Sequence, residues 1–271
     1  MEQRYILKAI DAALAAGENI LSIYNDPASD FQIERKADNS PLTIADRAAH
    51  ETISRLLADT PFPLLSEEGK AIPFAERKTW NDLWIVDPLD GTKEFIKRNG
   101  EFTVNIAWVQ KGVPRMGVIY VPVKRVLYVG IEGIGAYRLS DVTSRNGASL
   151  EELTARAVRL PMEAEHDRFV IVASRSHSTP ETEKYIEEAR ASHRAVELIS
   201  SGSSIKICLV AEGTADVYPR FAPTMEWDTA AGHAIARAAG REVYRAGTDT
   251  PLEYNKEDLL NPWFIVEPKR L

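Results

Sequence analysis

The sequence has 271 residues, 44% hydrophobic and 27% charged, so it can bury a sizeable core, and its composition excludes an intrinsically disordered chain. Its formal net charge of −7 would repel a nucleic-acid backbone, and no basic stripe with interleaved aromatic residues offsets that repulsion. Binding to a nucleic-acid polymer is therefore disfavoured. A small phosphorylated molecule stays compatible, because bound divalent cations reverse the local field of an acidic pocket.

The sequence contains no strong candidate for a membrane span or a secretion signal. The apolar run at residues 205–211 is too short to cross a bilayer, and the first residues open an amphipathic pattern. We therefore expect a cytoplasmic protein. The single cysteine, Cys208, lies in that apolar run and is interpreted as a buried structural thiol rather than a nucleophile.

Two helices are expected at the start of the chain. Residues 3–24 place apolar side chains at helical spacing, and residues 25–27 end that helix. A polar loop at residues 36–41 leads into Thr43-Ile44-Ala45-Asp46, which has the spacing of a capping box and starts a second helix that ends near residue 57. Asp46 could serve only as a helix cap, since a carboxylate at a helix start needs no other purpose.

Short strands follow the two helices. Residues 63–69 and 83–92 are apolar runs that end in acidic residues and a glycine, so both are expected to be strands with carboxylates at their ends. Four β-rich runs separated by Gly or Pro predict an antiparallel meander; they lie at residues 102–109, 117–121, 126–131 and 135–139. The pattern predicts an α+β architecture.

The stretch at residues 140–168 is polar and weakly patterned, which makes it the best candidate for a domain junction. We expect an N-terminal α+β subdomain at 1–160 that carries most metal ligands, and a C-terminal α/β subdomain at 161–271. The elements expected after the junction are a strand at 169–173, helices at 180–191 and 205–211, a strand at 215–218, and a closely packed Ala-rich helix at 228–237.

The segment Asp87-Pro88-Leu89-Asp90-Gly91-Thr92 carries the most chemical information. We expect a turn in which two carboxylates converge, because Pro88 fixes one dihedral angle and Gly91 relaxes another. The Leu89 carbonyl lies between the acids and can supply a further oxygen ligand, which suits Mg²⁺. Thr92 begins a helix, so its amide and that of Gly91 can face an anion.

Each acidic motif also has a simpler interpretation. The segment after Asp87 could be a surface turn, Glu67 and Glu68 could lie in a solvated turn, and Asp228 could only cap a helix. All three segments place acids at the ends of elements, where the carboxylates could converge, so together they favour a common site.

Three motifs together resemble the Mg²⁺-dependent, lithium-sensitive inositol monophosphatase superfamily. They are Ser66-Glu67-Glu68-Gly69, Trp84-Ile85-Val86-Asp87-Pro88-Leu89-Asp90-Gly91-Thr92 and Trp227-Asp228-Thr229-Ala230-Ala231-Gly232. The likeness covers nearly the whole chain. Within the superfamily, residues 36–41, 91–105 and 208–213 are most similar to the CysQ-type 3′(2′),5′-bisphosphate nucleotidases.

The resemblance implies a layered αβαβα fold with the active site between two subdomains. It implies two or three Mg²⁺ ions: one on Glu67, Asp87 and the Leu89 carbonyl, and a second on Asp87, Asp90 and Asp228. Glu67 would also help retain a third ion. The resemblance further implies that Thr92, paired with Asp46, activates the attacking water, and that Gly91 and Thr92 bind the scissile phosphate.

The substrate implied by the resemblance is adenosine 3′,5′-bisphosphate (PAP), hydrolysed to AMP and phosphate, with the 3′-phosphate of PAPS as a related target. Positions that match nucleotide contacts in that subgroup are His177, Ser203, Lys206 and Arg220, although Lys206 and Arg220 could be solvated surface charges and His177 could only cap a turn. A peripheral contact with the inner membrane is attributed to some CysQ-type proteins.

Two alternatives stay open from the sequence. An inositol monophosphatase or sugar phosphatase would share the metal site, and some superfamily members act as regulatory partners of other proteins. His50 and His233 lie on helical patterns and are expected to be packing residues, His166 and His193 are expected to be exposed, and no histidine spacing indicates zinc. The sequence leaves the oligomeric state open.

Overall fold

The computed structural model describes residues 2–35, 41–162, 167–174 and 179–270. Its first half contains the elements α1 Gln3–Tyr24, β1 Glu34–Arg35, β2 Pro41–Leu42, α2 Ile44–Leu57, β3 Leu64–Ser66, α3 Phe74–Arg77, β4 Asp82–Asp90, α4 Thr92–Ile96, β5 Thr103–Gln110, β6 Val113–Val121, β7 Val126–Ile131, β8 Gly135–Leu139, α5 Leu150–Arg156 and β9 Val158–Leu160. Its second half contains β10 Phe169–Ser174, α6 Pro180–Ser192, β11 Val196–Ser201, α7 Ile205–Glu212, β12 Tyr218–Arg220, α8 Glu226–Ala238, β13 Arg241–Arg245 and β14 Phe264–Pro268.

The two N-terminal helices confirm the prediction from their periodicity. Helix α1 buries one continuous face that includes Ile6, Ile10 and Ile20, and this face packs on α2 and on the large sheet. Helix α2 begins with the expected capping box, in which Asp46 accepts a hydrogen bond from the Thr43 amide.

A seven-stranded sheet in the order β3-β4-β5-β6-β7-β8-β9 forms the centre of the first half. Only β3 and β4 are parallel to each other, and the other pairs form the expected antiparallel meander. Side chains alternate between its faces: Trp84 and Val86 join α1 and α2, whereas Leu83 and Ile85 join the core around α8.

Helix α8 packs directly on the large sheet, as its alanine content predicted. A Cβ atom added to Gly117 would lie 2.1 Å from the Ala231 carbonyl oxygen, and one added to Gly130 would lie 2.4 Å from the Ile235 Cα. Glycine at both positions is therefore needed for this close approach. The contact fixes the position of the helix whose first turn carries Asp228.

The second half adds a parallel pair, β10 and β11, and an antiparallel sheet in the order β12-β14-β13. Helices α7 and α8 lie between these strands and the large sheet, while α6 covers the opposite side through Ile186 and Ala189. The layers confirm the α+β, αβαβα architecture that the motif resemblance implied.

The stretch at residues 140–168, expected as a weakly patterned candidate for a domain junction, contains two elements that the sequence interpretation did not place, α5 and β9. Helix α5 starts with a capping box at Ser149, and β9 pairs with β8 as the last strand of the large sheet. The sequence interpretation also missed β11, β13 and β14, and the strand expected at 215–218 occurs as β12, which begins at Tyr218. A boundary at residue 160 stays a prediction; one buried core cluster contains residues from both sides of it.

No helix in the described part of the chain combines the length and apolar character needed to cross a membrane. The cytoplasmic location stays a prediction.

Candidate active site

Three carboxylates from distant parts of the chain meet in one place. Glu67 follows β3, Asp87 lies in the neighbouring β4, and Asp228 lies in the first turn of α8. Each of the three offers an oxygen, and these oxygens all lie within 4.8 Å of one another. Such a group of oxygens can hold a divalent cation. The two strands place Glu67 beside Asp87 because β3 and β4 run parallel and the Glu67 amide donates to the Val86 carbonyl at 3.1 Å.

The segment between the two aspartates is a bulged strand end, where the sequence interpretation expected a turn. Asp87 pairs with Asn105 and Asp90 with Thr103, so two residues of β4 oppose one residue of β5. The extra residue lets the Leu89 amide donate to Asp87 Oδ1 at 3.0 Å. Strand pairing on both sides of the bulge thus holds the two carboxylates.

Asp90 lies in the same cavity but outside the compact group of three. Its Oδ2 accepts hydrogen bonds from the amide and the hydroxyl of Ser204, each at 2.6 Å, and from Asn105 Nδ2 at 3.3 Å. The Ser204 hydroxyl also lies 2.7 Å from the Asp228 carbonyl oxygen. Ser204 therefore connects β4 with the start of α8, a role that the sequence interpretation did not assign to it.

Asp46 and Thr92 are brought together as expected. The Thr92 hydroxyl lies 3.1 Å from Asp46 Oδ1 and 3.4 Å from the Leu89 carbonyl oxygen, so it can donate to either. Asp46 Oδ2 accepts from the amide and the hydroxyl of Thr43. The carboxylate thus caps α2 with one oxygen and contacts Thr92 with the other. Burial raises the pKa of Asp46, and the hydrogen bonds from Thr43 oppose this rise.

The electrostatics of the acidic group favour a bound cation. Burial raises the pKa of Asp87 well above its usual value, and the neighbouring charges of Glu67 and Asp90 raise it further. Burial also raises the pKa of Asp228, followed by the charges of Asp90 and Glu67. Because buried like charges repel one another, a divalent cation between these carboxylates would relieve an unfavourable interaction.

Another part of the cavity lining carries positive charge. Lys206 is only 5% exposed, its Nζ donates to the Ser203 carbonyl at 2.5 Å, and it lies 5.4 Å from the centre of the Tyr218 ring. Burial lowers the pKa of Lys206 to about 8, although the nearby Asp90 opposes this shift. Arg220 donates through Nη2 to the Pro223 carbonyl at 3.2 Å.

Two polar atoms in this part of the lining are buried without a hydrogen-bond partner among the described residues: Arg220 Nε and Ser203 Oγ. Buried polar groups are usually paired, so such atoms indicate a place where a ligand can bind. Ser203 also adopts a φ of 43°, a left-handed conformation that is uncommon for a residue other than glycine. The loop before α7 is thus held in an unusual shape beside the acidic group.

One cavity of about 440 Å³ contains both the acidic group and these basic residues. Ten predicted site residues line it: Glu67, Asp87, Leu89, Asp90, Gly91, Thr92, Ser203, Lys206, Arg220 and Asp228. Asp46 is buried and contacts the cavity residue Thr92. His177 lies outside the described residues, as does His166. The volume falls in the range of small-molecule sites.

The other histidines of the described residues and the single cysteine make structural contacts outside the acidic group. His50 Nδ1 lies 2.9 Å from the Ser66 hydroxyl, and His233 is buried between Tyr254 and Glu242. His193 is exposed and its ring stacks on Phe169. Cys208 is buried, and burial raises the pKa of its thiol, which suits a structural role.

Comparison with known proteins places these features in one family. The model of the inositol monophosphatase family matches residues 2–270. The 3′(2′),5′-bisphosphate nucleotidase CysQ of Escherichia coli O157:H7 is 45% identical over 254 residues, which cover 93% of this chain and 94% of that protein. The corresponding protein of Haemophilus influenzae is 31% identical and covers 94% of this chain and 89% of its own length.

Solved structures agree with the sequence relatives. The crystal structure of CysQ from Bacteroides thetaiotaomicron, a bacterial member of the inositol monophosphatase family, superposes with a TM-score of 0.94 at 67% identity and covers 99% of this chain and 98% of that one. The extragenic suppressor protein suhB of Bartonella henselae, at 24% identity and a TM-score of 0.72, covers 97% of this chain and 93% of its own and shares the fold. The family resemblance inferred from the three acidic motifs is therefore confirmed: the chain belongs to the inositol monophosphatase family.

Proposed function

We propose that this chain is a magnesium-dependent 3′(2′),5′-bisphosphate nucleotidase that hydrolyses the 3′-phosphate of adenosine 3′,5′-bisphosphate to AMP and phosphate. One observation carries the proposal: a single cavity is lined both by a group of carboxylates and by the basic residues Lys206 and Arg220. A substrate with two phosphates needs both groups. The Escherichia coli relative bears the name 3′(2′),5′-bisphosphate nucleotidase.

The donor set fits magnesium. Glu67, Asp87 and Asp228 offer only oxygen ligands, and the Leu89 carbonyl and Asp90 lie in the same cavity. Glu67, Asp87 and Leu89 would hold one ion and Asp87, Asp90 and Asp228 a second, and Glu67 would help to retain a third. Bound magnesium supplies Lewis-acid activation of water and neutralisation of charge on the leaving oxygen.

Protein residues would position the water and the substrate. When Thr92 donates its hydroxyl hydrogen to Asp46, its oxygen can accept a hydrogen bond from the attacking water. The raised pKa of the buried Asp46 suits a group that takes part in proton movement. The amides of Gly91 and Thr92 would bind the phosphate that is cleaved.

Recognition of the second phosphate is assigned to the part of the cavity lined by Ser203, Lys206 and Arg220, which we call the basic wall. The part lined by Glu67, Asp87, Asp90 and Asp228 is called the acidic wall. Arg220 can bind a phosphate through two nitrogens, and Lys206 contributes a compact charge. Ser203 Oγ, which is buried without a partner among the described residues, can donate to the same group. PAPS carries the same 3′-phosphate and is a second proposed substrate, with APS as the product.

A substrate panel tests the proposal. Phosphate release would be measured from adenosine 3′,5′-bisphosphate, PAPS and inositol 1-phosphate, each with and without Mg²⁺. We expect adenosine 3′,5′-bisphosphate to be cleaved with a much higher kcat/KM than inositol 1-phosphate, and only with the metal. Faster cleavage of inositol 1-phosphate would overturn the nucleotide assignment and favour an inositol or sugar phosphatase.

A further inference from the structure

A second cavity, which we call the basic cavity, lies at the other end of α8 from the acidic group. It has a volume of about 320 Å³. It shares no lining residue with the cavity of about 440 Å³ that holds the acidic group, which we call the catalytic cavity. Its walls come from β6, the turn between β7 and β8, β9, the last turn of α8, β13 and the residue that follows β14. Asp228 and Arg237, which line the two cavities, are separated by roughly 13 Å along the helix axis, given the rise of an α-helix.

The basic cavity has an excess of positive charge in a chain whose net charge is −7. Seven charged residues line it: Arg115, Arg159, Arg237, Arg241, Lys269, Glu132 and Glu242. Five of these are basic and two are acidic, so the local excess is three positive charges. A concentration of cations in a concave surface of an acidic protein attracts anions from solution.

The two acidic residues of the basic cavity already form ion pairs with Arg115 and Arg237. Glu132 forms a short ion pair with Arg115 and lies 4.0 Å from Arg237 Nη2. Glu242 Oε2 lies 3.7 Å from Arg237 Nε, and its Oε1 lies 2.5 Å from His233. Neither carboxylate is therefore available to neutralise the rest of the cavity.

Three cations of the basic cavity have no acidic partner within ion-pair distance in the described part of the chain: Arg159, Arg241 and Lys269. Arg241 donates through Nε to the Val210 carbonyl at 3.3 Å, a neutral partner that leaves its charge uncompensated. In addition, Arg115 Nε is buried and has no hydrogen-bond partner among the described residues. An anion in the cavity would supply both the missing charge and an acceptor.

We propose that the basic cavity is a second anion-binding site, whose ligand is a small oxyanion of the phosphate class. Guanidinium groups bind phosphate oxygens through paired nitrogens, which matches a cavity lined by four arginines. The ligand can be inorganic phosphate or the phosphate of a mononucleotide. This inference does not depend on the proposed function, because it concerns residues on another part of the molecule.

Calorimetric titration of the full chain tests the site. Inorganic phosphate, sulfate and AMP would be titrated in EDTA, with chloride as the control anion, into protein that carries Arg220→Gln to weaken anion binding in the catalytic cavity. The test variant adds Arg159→Gln and Lys269→Gln, two exposed residues whose replacement should not disturb folding. The matched control adds Lys184→Gln and Arg190→Gln, two exposed cations of α6.

We expect saturable phosphate binding that the test variant weakens by about fivefold or more, as loss of two charge contacts predicts. The control variant, which loses the same charge, should bind phosphate as the Arg220→Gln protein does. AMP bound much more tightly than phosphate would identify a nucleotide as the source of the anion, and equal binding would identify free phosphate. Equal weakening in both variants, or absence of saturable binding, would overturn the proposal.

An anomalous diffraction experiment provides a measurement that does not depend on the variants. Crystals of the unaltered chain soaked in selenate should show an anomalous peak between Arg159, Arg241 and Lys269. A peak confined to the catalytic cavity would contradict the second site.

Discussion

The two walls of the catalytic cavity differ in the charge that their buried groups carry and in how burial shifts their pKa values. On the acidic wall, burial and mutual repulsion raise the pKa values of Asp87 and Asp228, so the charged form of this group needs cations from solution. On the basic wall, burial lowers the pKa of Lys206 to about 8 even though the charge of the nearby Asp90 opposes this shift. The basic wall thus keeps a positive charge of its own near neutral pH.

Because of this difference, we expect the acidic wall to determine the reaction step and the basic wall to determine which substrate is bound. A change on the acidic wall should lower turnover of every phosphate ester, because all of them would need the same metal ions. A change on the basic wall should alter the preference among substrates, because only some carry a second phosphate. Ser204 contacts the acidic wall through Asp90 on β4 and the Asp228 carbonyl at the start of α8.

The largest effect is expected from Asp90→Asn on the acidic wall. Loss of one metal-binding charge should lower kcat on the order of a thousandfold for adenosine 3′,5′-bisphosphate and inositol 1-phosphate alike. The protein should stay folded, because an asparagine oxygen can still accept the hydrogen bonds from Ser204. Phosphate release and the circular dichroism spectrum would be measured together.

The exposed Asp141→Asn provides the control for this change. It removes the same charge away from the cavity and should keep the activity of the unaltered chain. Near-native turnover by a folded Asp90→Asn protein would contradict the metal assignment.

A smaller effect is expected from Ser204→Ala, which removes the hydroxyl hydrogen bond to Asp90 Oδ2 and keeps the one from the Ser204 amide. Residues that orient metal ligands typically contribute about tenfold to a hundredfold to activity or metal affinity. The Mg²⁺ concentration for half-maximal activity should therefore rise, and so should the Mg²⁺ concentration needed to raise the melting temperature.

Ser204→Thr should restore both Mg²⁺ requirements, since it restores the hydroxyl. Ser192→Ala, at an exposed helix end, should change neither. If Ser204→Ala lowered activity without changing the Mg²⁺ requirement, its role in holding Asp90 would be wrong.

The sequence predicted the acidic wall better than the contacts that support it. Glu67, Asp87 and Asp228 could be found because each ends or begins an element with a clear apolar pattern. The contact of Asp90 with Ser204 could not, because the two residues are 114 positions apart and no local pattern joins them. Only the tertiary fold, which places Ser204 at the start of α7 beside the bulged end of β4, brings them together.

Elements with few buried residues escaped the sequence interpretation. Helix α5 buries only Leu150 and Leu153, and β9 has three residues, so the polar segment at 140–168 gave no readable periodicity. Strand β11 has a single buried residue and shows no alternation that a pattern could reveal. In contrast, the long buried face of α1 made this helix recognisable, and its observed limits agree with the approximate range of residues 3–24 expected from the sequence.

On the basic wall, Lys206→Met should act selectively. Loss of a charged hydrogen-bond donor to the second phosphate should raise the KM for adenosine 3′,5′-bisphosphate by about tenfold or more. The KM for inositol 1-phosphate, which has no second phosphate, should change little. Methionine suits the site because the side chain of Lys206 is buried.

Steady-state kinetics of both substrates would measure this selectivity, and Lys184→Met, an exposed change on α6, provides the control. An equal loss with both substrates would show that the basic wall does not recognise the second phosphate.

The smallest effect is a pH dependence that also belongs to the basic wall. Because burial lowers the pKa of Lys206 to about 8, its ammonium group is charged below that pH and neutral above it. The kcat/KM for adenosine 3′,5′-bisphosphate should therefore fall as the pH rises through about 8, since this ratio reports ionisation of the unbound enzyme. Inositol 1-phosphate should show less of this fall, and Lys206→Arg should move it to higher pH, because a guanidinium stays charged. A fall at high pH that is identical for both substrates and persists in Lys206→Arg would contradict this prediction. It would assign the ionisation to the acidic wall and its water, which both reactions share, and would leave Lys206 without a role in substrate recognition.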